Sequence, residues 1–166
     1  VTYILIVMFQ VLIYPMTQML SIWGPSIQQN QNIGNLRQFS LPSFYAKYHS
    51  NSHKYICFWR NLDSHLPKDK KKALIKAYLD PDVIAEYLNR SVLTVEDIPG
   101  YYEDGNSEIW EEVKDFVLDP YVAPLMAEDL KGLPPALVVA CEHDPLRDDA
   151  IWYAKRLEQD GNQVNK

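Results

Sequence analysis

Residues 132–166 constrain the fold more than any other part of this chain. GLPPALVVACEHD opens on a Pro-marked turn and runs into a short apolar stretch, Ala136 to Cys141. A brief apolar run bounded by turn residues is the pattern of a buried core strand. An acidic loop follows, Asp144-Pro145-Leu146-Arg147-Asp148-Asp149, and then AIWYAKRLEQDG. That last segment is predicted as an amphipathic helix, with Asp148 or Asp149 near its N-terminus and Gly161 at its C-cap. Ile151, Ala154 and Leu157 or Trp152 point inward. A further strand is expected from about Val164. Strand, loop, helix and strand in this order make one half-turn of an α/β wind.

The chain has 166 residues, of which 47% are hydrophobic and 12% aromatic, enough for a core and too many for a disordered segment. Its formal net charge of −6 argues against nucleic acid, whose phosphates ask for clustered Lys and Arg. The charge is unevenly placed: every charged side chain lies between Arg37 and Lys166. The opening run, VTYILIVMFQVLIYPM, therefore has two readings. Val1 to Trp23 contains no charge, as a membrane span would. However, Gln10, Pro15, Thr17 and Gln18 interrupt it, and no Lys or Arg flanks it. Its β-branched and aromatic residues favour a strand buried on both faces of a parallel sheet. No basic n-region or cleavage site marks a secretory signal. Val in place of Met at the start, and a last segment that stops as a strand begins, give both ends the look of cuts through a fold.

Between these two regions the reading is helical. Ser21 to Pro42 is loop chemistry, and QQNQN (28–32) reads as a solvated loop. Helices are expected over SHKYICFWRNLDS, PKDKKKALIKAYLDP, PDVIAEYLN and SEIWEEVKDFV, with the loop VEDIPGYYEDGN before the last. The basic cluster Lys68 and Lys70 to Lys72 is expected to be a solvated face. Residues 43–118 contain no convincing strand.

Several chemistries lack their motifs. Gly24-Pro25-Ser26-Ile27-Gln28 comes nearest to a G-x-S-x-G elbow but has no second glycine. No phosphate loop or dinucleotide turn occurs. The four histidines (His49, His53, His65, His143) and two cysteines show no metal-ligand spacing. Asp144 stands out, because ligands and catalytic groups gather at the carboxyl ends of parallel strands. An Asp there can hold a histidine ring in one tautomer and stabilise its imidazolium. Equally, Asp144 and Asp149 can simply cap the following helix. Local sequence does not choose between them.

DPYVAPLMAEDLKGLPPALVVACEHDPLRDDAIWYAKRLEQDGNQV resembles the C-terminal region of arylacetamide deacetylase-like enzymes, in the hormone-sensitive-lipase group of α/β hydrolases. Pro124-Leu125, Gly132-Leu133-Pro134-Pro135, the D-x-L-R-D-D run from Asp144 and Tyr153-Ala154-Lys155-Arg156-Leu157 carry the likeness. VLIYPMTQ (11–18) looks like the strand that follows the nucleophile helix in that family. LPSFYAKYHSNSHKYICFWRNLDS looks, more loosely, like part of its cap. The resemblance implies a partial α/β-hydrolase fold with a helical cap insert over about 40–118 and an acid-loop unit over 119–166.

It also implies that Asp144 is the acid of a Ser–Asp–His triad. Triad order in this fold is Ser, Asp, His, so the nucleophile elbow and oxyanion loop are expected before Val1 and the histidine after Lys166. His143 is not in the family's histidine position. The expected function is thus a piece of a serine carboxylic-ester or arylacetamide hydrolase, inactive by itself, without metal or organic cofactor. Its rival is a pseudo-hydrolase or membrane-associated binding protein. Tyr45, Tyr48, Tyr55, Phe58 and Trp59 suggest an apolar acyl or aryl substrate. Related proteins are typically anchored with the hydrolase domain in the lumen of the endoplasmic reticulum, which implies the same location and membrane association through a preceding segment. Asn89-Arg90-Ser91 is an N-x-S sequon, which would make Asn89 a glycosylation acceptor there. Cys57 and Cys141 could pair with each other or with a cysteine upstream.

Overall fold

The computed structural model of the chain describes residues 8–21, 23–30, 63–103 and 105–166. Val1 to Val7, most of the helix expected over 52–64, the aromatic residues from Tyr45 to Trp59, and His49, His53 and Cys57 lie outside the described residues. The fold is α/β, in agreement with the sequence reading. Gln10–Ile13 form β1, Ala136–Val139 form β2 and Val164–Asn165 form β3. They make one parallel sheet in the order β1-β2-β3. Gln10 pairs with Ala136 and Ile13 with Val139, while Ala136 pairs on its other side with Val164.

Five helices are described: α1 (Pro25–Asn30), α2 (Lys68–Tyr78), α3 (Pro81–Leu88), α4 (Ser107–Val117) and α5 (Arg147–Gln159). Their ends follow from local chemistry. Asp80 caps α3 by accepting from the Asp82 N–H, and Pro81 stands at N1, where its missing N–H costs nothing. Asn106 caps α4 by accepting from the N–H groups of Glu108 and Ile109. Beyond α5, Gly161 (φ 84°) takes the left-handed turn, so that Asn162 N–H reaches Leu157 O and Gly161 N–H reaches Glu158 O. This is the Schellman arrangement.

The core forms where α5 packs over β2 and against α3. Ala136, Val138, Ala150, Ile151, Ala154 and Leu157 are buried there. Trp152 is buried too and donates its indole N–H to Asp80 O at 2.8 Å, which ties α5 to the start of α3. Trp110, Val113 and Val117 form the buried stripe of α4 at helical spacing.

Four expectations need correction. β1 is not buried on both faces: Val11 and Ile13 are 55% and 61% exposed, because the sheet's covered face is the one carrying Leu12, Ala136 and Val138. Residues 25–30 are helical, and Gln28 and Asn30 are buried rather than solvated. Lys71 lies inside, its ammonium donating to Tyr101 O at 2.7 Å and sitting 4.2 Å from the Tyr101 ring centre. Cys141 lies two residues past β2 as a free, exposed thiol and is not a strand residue. On the membrane question, 10–13 form a strand, and no described helix is long and apolar enough to cross a membrane.

Candidate functional site

Asp144 sits in the loop between β2 and α5, at the carboxyl end of the parallel sheet. Its N–H donates to Cys141 O at 3.2 Å and its carbonyl accepts from Arg147 N–H at 3.1 Å. Carboxylate oxygen Oδ1 accepts from Leu146 N–H at 2.7 Å. Leu146 stands before the first residue of α5, so this bond closes a turn ahead of the helix and does not cap it, and it uses only one of the two carboxylate oxygens. The side chain is half-buried.

Arg147, Asp148 and Ser26 form a buried clamp behind it. Arg147 and Asp148 are an ion pair (2.8 Å), with Arg147 Nε also donating to Asp148 Oδ1 at 3.0 Å. A second arm of the guanidinium donates to Glu142 O at 3.1 Å and to Gln29 Oε1 at 3.0 Å. The Asp148 carboxylate accepts from Ser26 N–H, and Ser26 Oγ donates to Pro145 O at 2.7 Å. Burial pushes the Asp148 carboxyl above its ordinary value, and the Arg147 charge pulls it back.

Asp149 does not cap α5. Its carboxylate accepts from Thr17 N–H (2.9 Å), Gln18 N–H (3.4 Å) and Gln18 Nε2 (3.1 Å), tying the loop after β1 to α5. Burial pushes this carboxyl up to about 7, against the pull of those N–H groups. Sequence reasoning could not reach these roles, since the partners stand more than a hundred residues away.

Two other features border the loop. The Tyr14 hydroxyl, just past β1, lies 3.0 Å from Cys141 Sγ. The contact with Cys141, more than the nearby Asp144 charge, raises the Tyr14 phenol above its usual range. A cleft of about 510 Å³ opens between β2, α3 and α5, with Tyr87, Arg90, Val139, Cys141 and Glu142 in its wall. Asp144 is not in that wall.

Elsewhere Ser21, Asp63 and His65 come together, yet not as a catalytic set. Ser21 Oγ donates directly to Asp63, which also accepts from Tyr101 OH at 2.5 Å, and His65 Nε2 meets Leu20 O at 2.9 Å. All three are buried. His143 is exposed beside Asp144. Among the described residues no group of His, Cys, Asp and Glu could hold a metal ion. Asn89 ends α3 in the left-handed conformation (φ 50°) and is exposed.

The family model of the α/β hydrolase fold matches residues 85–166, the stretch holding β2, the acid loop and α5. By this match residues 85–166 are similar to α/β hydrolases. The likeness extends upstream in individual relatives. Neutral cholesterol ester hydrolase 1 of Bos taurus is 35% identical over 158 residues, covering 93% of this chain. Arylacetamide deacetylase-like 3 of Homo sapiens is 35% identical over 170 residues, and arylacetamide deacetylase of Oryctolagus cuniculus 31% over 157. This fits the hormone-sensitive-lipase group read from the motifs. The chain spans 37% of the length of these relatives. No solved structure matches the chain.

Proposed function

We propose that this chain is the acid-bearing portion of a serine carboxylic-ester or arylacetamide hydrolase, with Asp144 as the triad acid. One observation carries the reading. Asp144 stands at the carboxyl end of a parallel strand, and among the described residues only Leu146 N–H donates to its carboxylate, at Oδ1. Oδ2 is then the acceptor for an imidazole N–H. The imidazole would take the proton of a serine hydroxyl as it attacks an acyl carbon, and Asp144 would fix its tautomer and stabilise the imidazolium. Serine, histidine and oxyanion donors come, in this reading, from sequence outside these 166 residues, in keeping with the 37% span. Residues 40–118 act as a cap over an apolar acyl or aryl ester or amide. No cofactor takes part.

The endoplasmic reticulum is the proposed location, with membrane association through a preceding segment. Asn89 is then a glycan acceptor: a mass shift on glycosidase treatment, lost in Asn89→Gln, checks this.

The test of the acid is Asp144→Asn in the natural protein that carries this chain. A loss of about 10⁴ in kcat is expected, as in serine-protease triads. An unchanged rate removes the assignment. The 166 residues alone should show no Asp144-dependent hydrolysis of p-nitrophenyl acetate. A catalytically silent binding protein is the rival reading. Sequencing the transcript on both sides decides: an elbow upstream and a histidine downstream support the enzyme, stop codons at both edges the rival.

A further inference from the structure

We propose that Ser26 and Arg147 are positioning residues that set the Asp144 carboxylate. The inference rests on the reading of Asp144 as the acid. The loop carrying Asp144 is held by a side chain on each limb. On the near limb, the Arg147 guanidinium donates to Glu142 O at 3.1 Å, two residues before Asp144. On the far limb, Ser26 Oγ donates to Pro145 O at 2.7 Å, one residue after it. Ser26 and Arg147 are 1% and 2% exposed. Water therefore has little access to replace either donor.

The two clamps are also joined to each other. Ser26 N–H and Arg147 both bond the Asp148 carboxylate, and Gln29 of α1 accepts from Arg147. One buried unit thus locks α1 to the acid loop. The approach of Gly24 is equally close: a Cβ there would meet Trp152 at 3.2 Å and Asp148 Oδ2 at 3.5 Å. What remains for Asp144 is one internal bond, from Leu146 N–H to Oδ1, which turns the carboxylate relative to a backbone already pinned. A carboxylate that must meet an imidazole N–H within hydrogen-bond distance gains its geometry from such supporting contacts. A displacement of about 1 Å can cost on the order of 100-fold in rate.

The experiment is a double-mutant cycle in the natural protein that carries this chain, assayed with p-nitrophenyl acetate. Ser26→Ala should lower kcat by about 10- to 100-fold with KM within about twofold. Ser26→Thr, which restores the hydroxyl, should recover most of it. In an Asp144→Asn background Ser26→Ala should cost nothing further, because its effect passes through Asp144. Amide exchange at Leu146 should quicken in Ser26→Ala. If Ser26→Ala does not fold, Arg147→Lys replaces it in the cycle, since the single lysine nitrogen cannot stand both where Nη1 meets Glu142 O and where Nε and Nη2 meet Asp148. An equal loss in both backgrounds shows a merely structural role and overturns the proposal, as does an unchanged kcat. If Asp144→Asn leaves the rate intact, or the wild-type protein does not hydrolyse the ester, the acid reading itself falls, and this proposal with it. Hydrolysis lost in Asp144→Asn but untouched by Ser26→Ala removes the positioning role alone.

Discussion

Two buried titratable side chains oppose each other across the mildly acidic range. Asp149 is raised to about 7 from an ordinary 3.8, so the folded state keeps its proton over a range where the unfolded chain loses it. Its contribution to stability is full below about pH 3.8 and is lost as the pH rises through about 7. His65 is lowered from 6.5 to about 4, first by burial and then by the Lys71 charge, with Leu20 O pulling the other way. Its contribution is present above pH 6.5 and is lost as the pH falls toward 4. Asp149→Asn should therefore steepen the acid loss of stability between pH 6.5 and 4, and His65→Gln should reverse it. Urea midpoints at pH 4.5, 5.5, 6.5 and 7.5 check both, and parallel profiles for wild type and variants would contradict them. The local sequence made Asp144 visible, because an Asp after an apolar run and before a helix has few uses. It could not show Ser26 at Pro145 or Asp149 at Thr17, since those bonds join residues 119 and 132 positions apart. In the sequence Ser26 reads only as the centre of an elbow lacking its second glycine; its hydroxyl is spent on Pro145 O.

At the scale of elements, the helices α2, α3, α4 and α5 were legible because their signals are local: apolar residues at helical spacing between turn-forming segments, and Gly161 past the end of α5. Helix α1 was hidden by its Gln- and Asn-rich composition, since its burial comes from contact with α5 and not from an apolar stripe. Lys71 misled for the same kind of reason. A lysine among lysines reads as solvated until a distant carbonyl and ring, both of Tyr101, take its ammonium. One junction is tight enough to predict. A Cβ on Gly105 would lie 2.5 Å from Lys68 N and 2.6 Å from Leu66 O, both backbone atoms that cannot swing aside. Gly105→Ala should destabilise by about 1–3 kcal/mol, the usual cost of overpacking. Asn106→Ala, next door, should cost about 1 kcal/mol through the lost cap of α4. Thermal melts of the two single variants give the comparison, and a Gly105→Ala melt equal to wild type would refute the clash.

For the whole molecule, the open face of the sheet matters most. Val11 and Ile13 of β1 are 55% and 61% exposed and Met8, just before it, 81%, and β1 is paired only on its β2 side among the described residues. Such an edge is a template for further strand pairing. Val11→Lys with Ile13→Lys should raise the monomeric fraction of the 166-residue chain in sedimentation or light scattering, and an unchanged size distribution would show that this face is not what associates. The pairing of β1 with β2 has a second consequence, in time rather than in space. Gln10 bonds to Pro134 across 124 positions, so the sheet cannot close until the intervening helices have drawn its two strands together. Helices form in microseconds, whereas contacts between distant residues wait on loop closure. Refolding of a variant keeping Trp152 as its one tryptophan should therefore show helical circular dichroism before the fluorescence change that reports α5 seated against α3, leaving a late interval in which the acid loop has no backing.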